Sequence, residues 1–247
     1  MKQSISTFQN SKNFLYPLSD NKHCYILQID KSKDHLIKEI RKLAEDLDKL
    51  CQDDFKRLPR IYLDRSLYIP LLIQNDEIDK ISPSGLVESE KEFILDLKKY
   101  LETNKDKFQN VDIYLLRNYP FSGIGFQLVW SKFYPDFIMW IKKEVKQHIV
   151  FIDPKGLEHS KGLDDEKITF AGFKTQNLDM VTIKDIERSL NRKDIILDSF
   201  ILSSTPYNKL INGLAGYPSK DEYEKHHVLF LEDEDCVEKF FKLLSII

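Results

Sequence analysis

Apolar positions recur at helical spacing in four stretches of the chain and in short runs elsewhere. From Lys33 to Cys51 they fall at Leu36, Ile37, Ile40, Leu43, Ala44, Leu47, Leu50 and Cys51. That i, i+3/i+4 stripe predicts an amphipathic helix that packs on the neighbouring core. Ser84 to Glu102 repeats the pattern with Leu86, Phe93, Leu97, Tyr100 and Leu101, and carries a carboxylate, Glu90, on the same stripe. Asp179 to Asn191 predicts a shorter helix, and the C-terminal segment predicts another on Val237, Phe240, Phe241, Leu244 and Ile247. Strands are expected at His23–Ile29, Val111–Arg117, Phe133–Ile141, His148–Lys155, Ile195–Ser203 and His227–Leu231. Arg60 to Gln74 is rich in β-formers but broken by Pro70, so it predicts an edge strand or an irregular segment. The polar connector Asn75–Ser84, with Pro83, divides an α/β and mostly helical extension, residues 1–80, from a second domain, residues 81–247. The second part runs helix, three strands, helix, strand, with a further strand and helix at its end. The fold class expected is α/β, of the α+β kind, with one mixed sheet flanked by helices.

Composition narrows the choice of class. The chain has 247 residues, 42% hydrophobic and 31% charged, which describes a globular protein with a sizeable core. Its net charge of −3 excludes a purely electrostatic nucleic-acid binder, although an enzyme with a local basic groove remains compatible. The three cysteines are widely separated and lack metal-ligand spacing, so reduced thiols in a cytoplasmic protein are expected. No apolar run approaches the ~18 residues of a membrane span, and the first residues show no secretion signal.

Candidate chemistry concentrates between Phe133 and Gly156, FYPDFIMWIKKEVKQHIVFIDPKG. Two apolar strands joined by a polar hairpin bring Asp136 next to Asp153. Side chains alternate along a strand, so Asp153 and Lys155 point the same way. Two carboxylates at one site are costly unless something positive lies between them. A hard divalent cation, Mg²⁺ or Mn²⁺, suits an all-oxygen pair. The plainer reading is turn chemistry, because Asp-Pro is an ordinary turn dipeptide. Glu90 on its apolar stripe either snorkels at the edge of the stripe or pairs with a core Arg or Lys, or else is a third acid aimed at the same cation. Gly123 and Gly125 suit a simple turn or a close approach to phosphate, but form no P-loop. Lys184, Arg188 and Arg192 recur at i, i+4, i+8 as a basic ridge, and the lysine-rich hairpin at Lys142–Lys146 suits either a soluble turn or a DNA backbone contact. Leu157 to Lys167 is a polar stretch expected to be a mobile loop, and His159 on it is expected to be solvated.

Asp136, Asp153 and Lys155 with their strands resemble the PD-(D/E)XK nuclease core. The blocks LLRN (Leu115–Asn118), GIGF (Gly123–Phe126), FYPDFIMW (Phe133–Trp140) and FIDPKG (Phe151–Gly156) resemble the C-terminal nuclease region of type III restriction-like helicase-nuclease proteins. The resemblance begins near Ser82, and the first 80 residues lie outside it. It implies the order helix, three strands, helix, strand, and a Mg²⁺- or Mn²⁺-dependent deoxyribonuclease, an endonuclease of a restriction or antiphage system. Asp136, Asp153 and the carbonyl of Pro154 would bind the metal, and Lys155 would orient and deprotonate the attacking water. Leu86, Glu90 and Phe93 match a pattern in which the helix before the sheet supplies a glutamate, so Glu90 would hold a second metal or a water at the first. The resemblance also implies a helicase or ATPase motor, as a partner subunit or as part of a longer chain, since no ATPase motif stands in this sequence. Two alternatives stay open: a nucleic-acid or partner-binding module on a nuclease-like fold, and a metal-dependent ribonuclease. A dimer that cuts both strands is compatible with the sequence.

Overall fold

The computed structural model describes residues 14–15, 25–53, 56, 58–66, 70–119, 123–173, 180–210 and 218–247. His23 and Cys24 of the first expected strand, residues 67–69, Pro120 and Asp179 lie outside the described residues. In chain order the elements begin with β1 (Phe14–Leu15), β2 (Ile26–Gln28), α1 (Asp34–Ala44) and the short α2 (Leu47–Leu50). Next come β3 (Arg60–Ile61), β4 (Leu71–Leu72), β5 (Lys80–Ser82), α3 (Glu88–Thr103), β6 (Val111–Arg117), β7 (Gly125–Gln127) and β8 (Lys132–Phe133). The chain then forms β9 (Phe137–Lys143), β10 (Lys146–Lys155), α4 (Glu166–Thr169), α5 (Ile183–Ser189) and β11 (Ile195–Ser203). It ends with α6 (Tyr207–Leu210), α7 (Lys220–Lys225), β12 (Val228–Phe230) and α8 (Cys236–Leu243).

The five-stranded sheet has the order β12-β11-β10-β9-β6. Strands β10, β11 and β12 run parallel, and β9 runs antiparallel to both β10 and β6. The class is therefore mixed α and β, as the hydrophobic pattern predicts. Because only β9 is reversed, the C-terminal ends of β6, β10, β11 and β12 and the start of β9 lie on one edge. In open α/β sheets that edge is where ligands bind.

Buried aliphatic and aromatic side chains from both faces of the sheet make one large cluster. It reaches from Leu97 on α3 through Phe137 and Ile152 to Phe240 and Phe241 on α8. Strands β9 and β10 are buried over almost their whole length, and their near-continuous apolar runs fit strands covered on both faces. Ile61, Leu63 and Leu71, which precede residue 81, belong to the same cluster. Strand β5 pairs with β2, and Ile40 and Leu43 of α1 pack against Leu58, Leu72, Ile78 and Ile81.

Several element boundaries differ from the sequence expectation for local reasons. The expected helix Lys33–Cys51 is broken at Glu45–Asp46, where the Asp46 carboxylate accepts the backbone N–H of Lys49. Such a side chain competes with the helical ladder. The helix expected from Ser84 starts at Glu88, because Leu86 is extended, exchanging backbone hydrogen bonds with Leu72 and Gln74. Gly85 permits that approach, since a Cβ there would sit 2.6 Å from the Gln74 nitrogen. Helix α5 starts at Ile183, where Thr182 and Asp185 form a reciprocal cap. The polar stretch expected to be a mobile loop contains a 3₁₀ turn at Gly162–Asp164 and helix α4, which Asp165 caps by accepting the Lys167 N–H. The expected basic ridge is not free: Lys184 pairs with Asp198, Arg188 with Asp185 and Arg192 with Asp194.

Candidate metal and phosphodiester site

The hairpin β9–β10 builds the site. Its register pairs Lys146 with Lys143 at the turn and Ile152 with Phe137 at the far end. One further step sets Asp153 opposite Asp136. Directly opposed residues of an antiparallel pair project from the same face. Asp136 stands in the bend before β9, separate from the short β8, where one continuous strand is expected from Phe133.

Asn118 holds that bend. Its backbone N–H donates to the Asp136 carbonyl at 2.8 Å, and its Nδ2 donates to the carbonyls of Pro135 at 2.9 Å and Ile124 at 2.6 Å. Its Oδ1 accepts the Ile124 N–H. Gly123 is required by the same packing, because a Cβ there would lie 2.2 Å from Asn118 Oδ1. At Gly125 a Cβ would lie 2.6 Å from the Tyr134 ring. Protein atoms therefore fill the space that both glycines leave.

Asp153 is buried and Asp136 half-buried, and a side-chain hydrogen bond joins them. Burial, then the charges of Asp153 and Glu90, push the Asp136 carboxyl up to about 8, against a smaller opposing pull from Arg117. The raised Asp136 carboxyl keeps its proton more readily than an ordinary aspartate. This is the behaviour of two carboxylates that cannot both ionise in one place.

Glu90 is the third residue of α3. Its Oε2 accepts the Val87 N–H at 2.8 Å, closing the helix start, and lies 2.9 Å from Arg117 Nη1. Both side chains are only 4% exposed. The Arg117 guanidinium also donates from Nε to the Ser84 carbonyl and from Nη2 to the Gly85 carbonyl, and lies over the Phe137 ring. Nη1 makes a close charge contact with Glu90 rather than an aligned hydrogen bond. The structure thus shows Glu90 paired with a core arginine, the plainer of the two sequence readings, while its charge still reaches Asp136.

Lys155, at the end of β10, is half-buried and makes no ion pair among the described residues. It lines a cavity of about 430 Å³ with Ser204, Thr205, His159 and Lys209. Gly156 follows it, with its Cα side facing Thr205 Oγ1, which accepts the Leu157 N–H. Pro154 is buried between Asp153 and Lys155 in the strand. The lysine that pairs with Asp153 is Lys167 of α4, its Nζ 2.8 Å from Asp153 Oδ2 and 4.9 Å from the Phe133 ring centroid. Sequence reasoning missed Lys167, Arg117 and Asn118. Arg117 and Asn118 do stand inside the LLRN block that carries the resemblance.

The site therefore brings together Asp136, Asp153, Glu90, Arg117 and Lys167, with Lys155 and Pro154 in the adjoining strand end. Its carboxylates fit a hard divalent cation in one respect: Asp136 and Asp153 are set close enough for their charges to oppose each other, and a cation would relieve that repulsion. In another respect they are already satisfied, since Arg117 neutralises Glu90 and Lys167 neutralises Asp153. Among the described residues no group of three or more His, Cys, Asp or Glu side chains is gathered as a metal cluster. No helix among them is long and apolar enough to cross a membrane. Comparison with protein-family models, with curated proteins and with solved structures returns no match for this chain.

Proposed function

We propose that the protein is a PD-(D/E)XK-type, metal-dependent nuclease that hydrolyses DNA phosphodiesters. The observation that carries this reading is the placement of Asp136 opposite Asp153 at the edge where the parallel strands end, with Lys155 two residues along the same strand face. With the short β7, β8 and α4 set aside, the order α3, β6, β9, β10, α5, β11 supports this reading.

In this reading Asp136 and Asp153 hold Mg²⁺ or Mn²⁺, with the Pro154 carbonyl as a further oxygen donor. The bound cation supplies charge neutralisation and Lewis-acid polarisation at the scissile phosphate. Lys155, which makes no ion pair among the described residues, orients the attacking water and stabilises charge on the phosphoryl oxygens. Glu90 and Arg117 act from behind Asp136, holding its electrostatic environment and the start of α3. Asn118 fixes the bend from which Asp136 projects, the positioning on which in-line attack depends. A helicase or ATPase partner and a restriction or antiphage role belong to the same proposal and rest on the resemblance.

The test uses Asp153→Ala and Lys155→Ala, both checked for folding by thermal melting. Each is expected to lose cleavage of plasmid and single-stranded DNA. Wild-type-like cutting by either variant overturns the roles assigned here.

A second reading, a nucleic-acid- or partner-binding module without activity, is favoured by one observation. Lys167 and Arg117 already neutralise Asp153 and Glu90 without any bound cation. Nucleic-acid binding that is unchanged by metal, by chelator and by Asp153→Ala would select it.

A further inference from the structure

The protein supplies its own counter-ion for Asp153. Lys167 projects from a one-turn helix whose neighbours Ile168, Thr169 and Phe170 are fully buried, so the helix backbone is fixed. Glu166 ties the same turn to the loop after β7 by accepting the Trp130 N–H at 2.8 Å and the Ser131 hydroxyl at 2.7 Å. The Lys167 stem passes the Phe133 ring and its ammonium ends 2.8 Å from Asp153 Oδ2. The side chain is 29% exposed, so one side of it opens to solvent while Asp153 is 5% exposed. A lysine head on a flexible four-carbon stem can leave by rotation alone, without moving α4.

Two ion pairs compensate the buried carboxylates of the unliganded site: Glu90 with Arg117 and Asp153 with Lys167. Arg117 is buried and bonded on three sides, so it is not the cation that leaves. A divalent cation entering beside Asp153 would meet the Lys167 ammonium within about one ionic contact, and two cations there repel strongly in a partly dry site.

We propose that Lys167 occupies the cation position of Asp153 in the unliganded protein, and that a divalent metal binds only as the Lys167 ammonium swings out to solvent. Lys167 is then a positioning residue that sets metal affinity. It keeps Asp153 compensated when no metal is bound and opposes occupancy by a bare cation. This inference rests on the proposed Asp136–Asp153 metal site.

The experiment titrates Mn²⁺ and Mg²⁺ alone, without nucleic acid, into the full chain by calorimetry. It compares wild type, Lys167→Met and Lys167→Arg at one fixed pH. Thermal melting confirms that the variants are folded. Lys167→Met, which keeps the stem and removes the charge, is expected to bind Mn²⁺ about tenfold more tightly than wild type, the effect of removing one competing ion pair. Lys167→Arg is expected to stay within about threefold of wild type, as an exchange that keeps the charge. Equal or weaker binding by Lys167→Met overturns the inference while leaving the metal site standing. Absence of binding in all three proteins overturns the metal site itself, and this inference with it.

Discussion

Asp136 and Asp153 stand opposite each other at the open end of the β9–β10 hairpin, and the Lys167 ammonium lies 2.8 Å from Asp153 Oδ2. The two carboxylates therefore have different tasks before any ligand arrives. Asp153 stands beside an ammonium, and Asp136 is the member whose carboxyl burial and neighbouring charges push up. A cation placed between them would replace the ammonium.

This pair makes stability depend on pH in a defined direction. The Asp136 carboxyl rises from an ordinary value of 3.8 to about 8 on folding, so the folded state binds the proton more tightly. Its contribution is fully present below pH 4 and is lost as pH rises through 8. The slope across that window is at most ~1.4 kcal/mol per pH unit. Urea unfolding of metal-free protein at several pH values should show stability falling from this source, and Asp136→Asn should remove the slope. An unchanged slope in the variant would refute the raised carboxyl.

Arg117 and Glu90 are both buried, so breaking their pair strands a charge. Arg117→Met should destabilise the protein by ~3–5 kcal/mol in denaturant unfolding. Adding Glu90→Gln to that variant should restore part of the loss, because the stranded carboxylate is gone. Strictly additive effects would mean that the two side chains do not depend on each other.

Much of this arrangement is legible in the sequence, and the limits are physical. The two-residue turn at Glu144–Val145 and period-2 alternation are enough to set Asp136 opposite Asp153, since the register of a hairpin follows from its turn. The four long strands of the sheet and the terminal helix are legible for the same reason, as strong apolar periodicity. Arg117 is hidden because a strand pattern says nothing about which helix crosses its end, and its partners come from residues 84–90, well upstream of it. Lys167 is hidden because a one-turn helix in a polar stretch leaves no periodic trace. The basic ridge at Lys184, Arg188 and Arg192 looked free because three aspartates that answer it stand at the wrong spacing to be noticed.

Asn118 and Gly123 lock the bend that carries Asp136. Gly123→Ala forces a Cβ against Asn118 Oδ1 and the Tyr119 backbone, which cannot yield like the end of a flexible side chain. A loss of more than ~2 kcal/mol in stability is expected. Asn118→Ala should cost about as much by leaving the buried Pro135 carbonyl without its donor. In both variants cleavage should fall further than stability, measured as kcat at a temperature where each remains folded.

At the strand-start side of the sheet, His227 stacks on Phe200 with ring centroids 4.3 Å apart. Burial, then the nearby Lys184 charge, holds its imidazole down to about 4. The unfolded chain therefore binds the proton more tightly between about pH 4 and 6.5, and the stability His227 contributes is lost as pH falls through that window. His227→Asn, which suits the positive φ of 59° at this position, should flatten the acid limb of the stability profile. The stacking contact would be lost at a cost of about 1 kcal/mol.

The most direct measurement is incubation of supercoiled plasmid with the 247-residue chain in Mg²⁺ or Mn²⁺, with chelator and with Asp153→Asn as parallel arms. The account predicts nicked or linear product only when metal and Asp153 are both present. Cleavage that survives chelator or Asp153→Asn would contradict it, as would an absence of cleavage together with an absence of Mn²⁺ binding.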